Sequence, residues 1–180
     1  RGSLRFKMTA SSKINTYQCF TELLYQSVNT KGRSGIIIPL GIVTEESSNE
    51  LFIDAISKNR LHSIVGFENE EFLFKNVANV VKFCLLTIMG KPQPQIKPRI
   101  AFHFRNINSI NNEMSYFTLD KRSIDLFNPK TKTAPLFRTK IDFELNEKIY
   151  TRNRPIYGET EYKDIVLMQG LYNMTIDSSS

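Results

Sequence analysis

Apolar residues along this chain fall into short runs separated by polar, turn-forming stretches, and each run has a readable period. From Asn15, a residue suited to capping a helix, Tyr17, Phe20, Leu23, Leu24 and Val28 recur on one helical face, and Gly32 can close that helix. Gly35-Ile36-Ile37-Ile38-Pro39-Leu40 is continuously apolar and ends on proline, as a buried parallel strand does where its ladder stops. Thr44, Ser47 and Ser48 offer capping oxygens, and Glu45, Glu46 and Glu50 suit a helix amino terminus. Leu51, Phe52, Ala55 and Ile56 form the buried stripe of that helix, which runs out near Asn59. Two further strands follow, Leu61–Phe67 and Val80–Met89, the second almost continuously apolar and so expected to be buried on both faces. The connection between them carries Phe72 and Phe74, and a loop of that length usually has a function beyond joining strands.

Strand, helix, strand in this order places the first two strands parallel in one sheet. The third follows without a crossover helix, so it is expected to run antiparallel, at the end of an open α/β sheet. Lys91–Pro98 (KPQPQIKP) is a proline-stiffened connector that divides the chain into 1–90 and 91–180. Beyond it, Arg99–Arg105 alternates as a strand with Ile100, Phe102 and Phe104 on one face, while Ile107–Met114 shows no clear period. Thr118 can cap a helix over Leu119–Phe127, stopped by Asn128-Pro129. Thr139 can cap another, in which Ile141, Leu145 and Ile149 share a face.

Charge then changes the picture. Net charge is +6, and between Lys91 and Arg154 thirteen Lys and Arg face only six Asp and Glu. That excess fits a polyanion such as nucleic acid, or a well-solvated surface. No apolar run approaches the roughly 18 residues that a membrane span requires. Cys19 and Cys84 lie among apolar neighbours without partner spacing, which reads as reduced cysteines of a cytoplasmic protein. His62 and His103 are far apart in sequence. The start, Arg1-Gly2-Ser3, is neither an initiator methionine nor a secretory leader, so the chain is expected to be cut from something longer.

Common catalytic signatures are missing. There is no Gly-x-Gly nucleotide loop, no phosphate loop and no Gly-x-Ser-x-Gly elbow. Asn128-Pro129-Lys130 starts like an Asn-Pro-Pro-aromatic tetrad but does not complete it, and it reads as a helix stop. Glu68, Glu70 and Glu71 read as a solvated loop edge, having no metal-ligand partners in sequence.

Three stretches carry a family resemblance: GRSGIIIPLGIVTEESS, FENEEFLFKNVANVVKFCLLTI and LFNPKTKTAPLFRTKIDFELNEKIY. In that order and spacing they resemble the later part of the catalytic region of adenine-N6 DNA methyltransferases. The group most alike is the type IIG-like restriction–modification enzymes and related phage-defence methyltransferases. The terminal LMQGLYNMTIDSSS is similar to a segment that these proteins carry before their target-recognition region.

The resemblance implies a Rossmann-like class I methyltransferase sheet, here its later strands only, followed by a basic α+β extension toward DNA target recognition. It also implies S-adenosylmethionine as methyl donor and double-stranded DNA with a flipped adenine as partner. Gly35–Leu40 would be the fifth strand of that sheet, Leu61–Phe67 the sixth and Val80–Met89 the seventh, inserted antiparallel. The loop between the last two would pack an aromatic ring, Phe74, on the flipped base, with Phe72, Pro39 and Leu40 also lining the base pocket. Lys75 stands where the family commonly has proline. With Lys91, Lys97 and Arg99, it is a candidate for contacts to the DNA backbone. The family's Gly-rich donor motif and its Asn-Pro-Pro-aromatic tetrad are absent from these 180 residues, so no catalytic, donor-binding or metal-binding residue is expected here, and the chain alone is expected to be inactive. A sheet cut at that point would expose an edge open to self-association. The alternative is a non-enzymatic nucleic-acid-binding or interaction module.

Overall fold

The computed structural model describes residues 5–9 and 14–153. Helix α1 (Thr16–Ser27) leads to strand β1 (Arg33–Pro39), a short helix α2 (Gly41–Thr44) and helix α3 (Asn49–Ser57). Strands β2 (Leu61–Glu68), β3 (Lys82–Met89) and β4 (Arg99–Phe104) follow. Two 3-10 turns, helix α4 (Lys121–Phe127) and helix α5 (Lys140–Arg152) complete the described chain.

The four strands form one sheet in the order β1-β3-β2-β4. β3 is antiparallel to both β1 and β2, so those two run parallel to each other, as the crossover pattern predicts. The antiparallel strand is not at the end of the sheet, however: it is inserted between β1 and β2. The physical reason is its apolarity. Lys82–Met89 has enough apolar side chains to be covered on both faces, and Cys84, Leu86 and Ile88 enter one core cluster while Phe83 enters the other. Pairing with β3 leaves β1 at the edge, antiparallel and only partly covered, with Ile37 56% exposed. The expectation of a buried parallel strand there is corrected accordingly. β4, the first element past the proline connector, pairs parallel with β2 in the same sheet.

Other local expectations shift for identifiable reasons. In α1 the buried residues are Gln18, Thr21, Glu22 and Tyr25, whereas Phe20 is 63% exposed. The polar side is drawn inward because the Glu22 carboxylate accepts from Thr9 Oγ1 (2.7 Å) and the Met8 amide (3.3 Å). α3 buries the expected stripe of Leu51, Phe52, Ala55 and Ile56. α4 is capped not by Thr118 but by Asp120, whose carboxylate accepts from the Ser123 amide at 2.7 Å. Thr139 does cap α5, in a reciprocal capping box with Asp142. The shared face of Ile141, Leu145 and Ile149 is solvent-exposed, and α5 docks instead through Phe143, stacked on Phe117 at 5.0 Å. Among the described residues no helix is long and apolar enough to cross a membrane.

Candidate functional site

Because β1, β2 and β4 run parallel, their carboxyl ends gather at one end of the sheet, where open α/β sheets ordinarily bind ligands. Cα register places Pro39 opposite Phe83, Phe83 opposite Phe67, and Phe67 opposite Phe104. Phe67 stacks on Phe83 (5.3 Å between ring centroids, 6° between planes) and meets Phe104 edge-on at 5.7 Å. This aromatic row floors the site on one face of the sheet.

Phe104 belongs to that row only because β4 is irregular. Simple alternation would put Ile100, Phe102 and Phe104 on one face, yet Ile100 and Phe102 enter one cluster and Phe104 the other. Between the pairs Val65–Ala101 and Phe67–Phe104, β4 holds one residue more than β2, and His103 takes φ 64°. A bulge of this kind re-aims side chains. It brings His103 Nδ1 within 3.0 Å of the Glu68 carboxylate.

Glu68 is therefore not part of a solvated loop edge. It is buried, and besides His103 it pairs with Lys82 Nζ (3.1 Å) and Arg105 Nε (3.5 Å), while Arg105 also reaches Glu70 (3.0 Å). The His103 hydrogen bond, followed by Lys82, outweighs desolvation and holds the Glu68 carboxyl down to about 2. The network ties the ends of β2, β3 and β4 together below the loop.

The loop itself is organised by Asn69, which is fully buried. Its Oδ1 accepts from the Phe74 amide (2.9 Å), and its Nδ2 donates to the carbonyls of Phe74 (3.0 Å) and Val77 (2.9 Å). Held this way, Phe74 stands edge-on to Phe83 at 4.9 Å with its ring 41% exposed. Phe72 adopts the left-handed conformation (φ 51°) and is 51% exposed. Leu73, Val77, Val80 and Val81 are exposed as well, so the loop offers several apolar side chains to solvent. Neither Asn69 nor His103 was marked by the sequence pattern. Asn69 adjoins a carboxylate run and looks polar and loop-like, and His103 sits within an ordinary alternation.

The structure brings together some of the predicted site residues and separates others. Phe74, Phe72 and exposed Pro39 lie at the carboxyl ends, and Lys75 is exposed in the same loop. Leu40 is buried in the core, and its amide donates to the Lys82 carbonyl at 3.0 Å. Lys91, Lys97 and Arg99 are at the opposite end, the two lysines past the close of β3 and Arg99 opening β4. The span is roughly 23 Å if seven strand residues rise about 3.3 Å each. Arg99 is committed to Glu113 (2.7 Å) and lies over the Tyr116 ring (4.2 Å). That far end is basic: His62 is pushed below its usual range by burial and then by Arg33 and Arg99. Asn128 closes α4 and donates to the Thr133 carbonyl (3.0 Å), a structural task. Among the described residues no group of acidic, His or Cys side chains could hold a metal. LMQGLYNMTIDSSS lies outside the described residues.

No protein-family model matches the chain, and no curated protein matches it. Among solved structures it is similar to the methyltransferase subunit of the type I restriction-modification system from Streptococcus thermophilus. The two are 12% identical and superpose with a TM-score of 0.43, over 83% of this chain and 27% of that one. The chain thus spans 27% of the length of that subunit, and a likeness at this level does not extend to activity.

Proposed function

We propose that this chain is part of a restriction–modification DNA methyltransferase that transfers a methyl group from S-adenosylmethionine to adenine N6. In this reading the loop after β2 supplies the aromatic face for the flipped base. The observation that carries the reading is the placement of Phe74: an exposed ring, braced on Phe83 and fixed by Asn69, at the carboxyl ends of three parallel strands. An extrahelical adenine loses its stacking partners, and a flat apolar face restores them. The antiparallel direction of β3 supports the same reading, matching the antiparallel seventh strand that the sequence resemblance implies.

S-adenosylmethionine supplies an electrophilic methyl group when bound, but the described residues do not fit it. The glycines at 32, 41, 66 and 90 pack against protein atoms rather than opening a cradle, and the 180 residues hold no Gly-x-Gly loop. Donor binding and contacts to the adenine amino group are therefore assigned to regions beyond this chain. The role left to these residues is positioning: Phe74 faces the base, Asn69 holds Phe74, and the Glu68–His103–Lys82 cluster fixes the strand ends beneath it.

The experiment is a titration of this chain with a duplex carrying an unpaired, extrahelical adenine, with the fully paired duplex, and with S-adenosylmethionine. Preference for the extrahelical adenine and no donor binding are expected. Equal affinity for both duplexes would favour a nucleic-acid-binding module without base recognition, and donor binding by this chain alone would overturn the division of labour.

A further inference from the structure

Far from the Phe74 loop, at the amino end of β2, a groove of about 580 Å³ opens between the proline connector, the end of α3 and the start of α4. Its floor is apolar, including Leu61 and Leu119, and Lys97, Lys121 and Arg122 line it. Among the described residues no ion pair engages these three cations, in contrast to Lys82, Arg99 and Arg105. The single acid lining the groove, Asp120, is spent as the α4 cap, accepting from the Ser123 amide (2.7 Å) and hydroxyl (3.1 Å). Arg122 also lines a second groove of about 560 Å³ along α5, which contains Lys148 and Arg152 together with Glu144 and Glu147. The two grooves thus meet at Arg122. Glu144 already faces Lys140 at 3.7 Å.

Three cations from two separate segments, unpaired among the described residues, converge over a concave floor with a single carboxylate and form a channel of net positive charge where field lines concentrate. We propose that this channel is a track for the phosphodiester backbone of duplex DNA, separate from the base-facing loop and centred on Lys97, Lys121 and Arg122. Each cation that neutralises a phosphate releases a condensed counterion, so the track has a thermodynamic signature in salt. An acidic protein could satisfy the charge, but it would not release condensed counterions from a regular phosphate array.

The test is fluorescence anisotropy of a labelled duplex with this chain across a salt series. The wild type is compared with the triple variant Lys97→Gln, Lys121→Gln, Arg122→Gln, with Phe74→Ala, and with Lys7→Gln as a charge control that lines neither groove. Circular dichroism melts establish that each variant folds. In the triple variant the slope of log affinity against log salt is expected to fall by roughly 2 to 3, about 0.9 per lost phosphate contact, and affinity at low salt by more than tenfold. Lys7→Gln and Phe74→Ala are expected to keep the wild-type slope. An unchanged slope in the triple variant overturns the track whatever Phe74→Ala does. A changed slope with no effect of Phe74→Ala on any duplex keeps the track and removes the base-facing reading. Competition by poly-glutamate as effective, per charge, as unlabelled duplex would also overturn the proposal, in favour of an acidic protein partner.

Discussion

Asn69 holds Phe74 by both sides of its amide group, accepting the Phe74 N–H at 2.9 Å and donating to the Phe74 carbonyl at 3.0 Å. A buried side chain thereby sets the position of an exposed ring five residues later. The same Nδ2 reaches Val77 at 2.9 Å, so one amide closes the loop that links β2 to β3.

Asn69→Ala leaves the Phe74 amide and the Phe74 and Val77 carbonyls without these partners. A loss of about 2 to 3 kcal/mol is expected from the missing bonds and the exposed polar groups. Urea unfolding reads the loss, and amide exchange shows where it falls. Phe74 exchanges faster, while Leu85 and Leu86 at the centre of β3 keep their protection.

Acid weakens the Glu68 cluster in a predictable direction. The folded carboxyl is held down to about 2 against an ordinary 4.5, so its stabilisation is complete above about pH 4.5 and is lost as pH falls toward 2. The urea midpoint of the wild type is therefore expected to drop between pH 5.5 and pH 3. Glu68→Gln starts lower at pH 5.5 and loses less over the same interval. Parallel losses in both proteins would show that Glu68 is not the linked group.

On α5 the two apolar faces separate cleanly. Phe143 is buried, stacked on Phe117 and edge-on to Phe127 and Phe137 at 5.8 Å each, so Phe143→Ala is expected to cost about 3 to 5 kcal/mol. Leu145, 55% exposed, faces solvent, and Leu145→Gln should change stability by no more than about 0.5 kcal/mol. Thermal melts of the two variants decide between these faces.

Gly90 and Gly35 behave oppositely for a steric reason. A Cβ on Gly90 would fall on the backbone carbonyl of Asn29, where β3 leaves the sheet, while a Cβ on Gly35 meets nothing within 4 Å. Gly90→Ala is expected to destabilise by about 3 kcal/mol, since backbone rather than a flexible side chain must move. Gly35→Ala is expected to be tolerated, a contrast that chemical denaturation of the pair can measure.

Much of the fold is written in local pattern, because strands and helices announce themselves through apolar period. The Leu51–Ile56 stripe, the almost continuously apolar β3 and the Thr139 cap are each visible in a window of a few residues. What pattern cannot convey is competition between distant segments. β3 takes the centre of the sheet because β1 and β2 both need an apolar neighbour, and no window contains all three. Phe104 changes faces through a single left-handed residue, His103, which no periodicity marks. The apolar spacing of Ile141, Leu145 and Ile149 suggests a core face, whereas Phe143 and Tyr150 have the aromatic partners. At the site, the aromatic type and loop position of Phe74 are legible. Its tether is not, because Asn69 reads as a polar loop residue until it is seen buried.

The most direct measurement of the central claim is the fluorescence of 2-aminopurine placed as an extrahelical base in a duplex, titrated with this chain and with its Phe74→Ala and Phe72→Ala variants. Stacking of a base on an aromatic ring contributes about 1 to 3 kcal/mol. Phe74→Ala is therefore expected to weaken binding of that duplex by roughly 5- to 150-fold and to abolish the quenching, with the paired duplex unaffected. Phe72→Ala is expected to do far less. Wild-type affinity and quenching in Phe74→Ala would contradict the assignment of this ring to the flipped base.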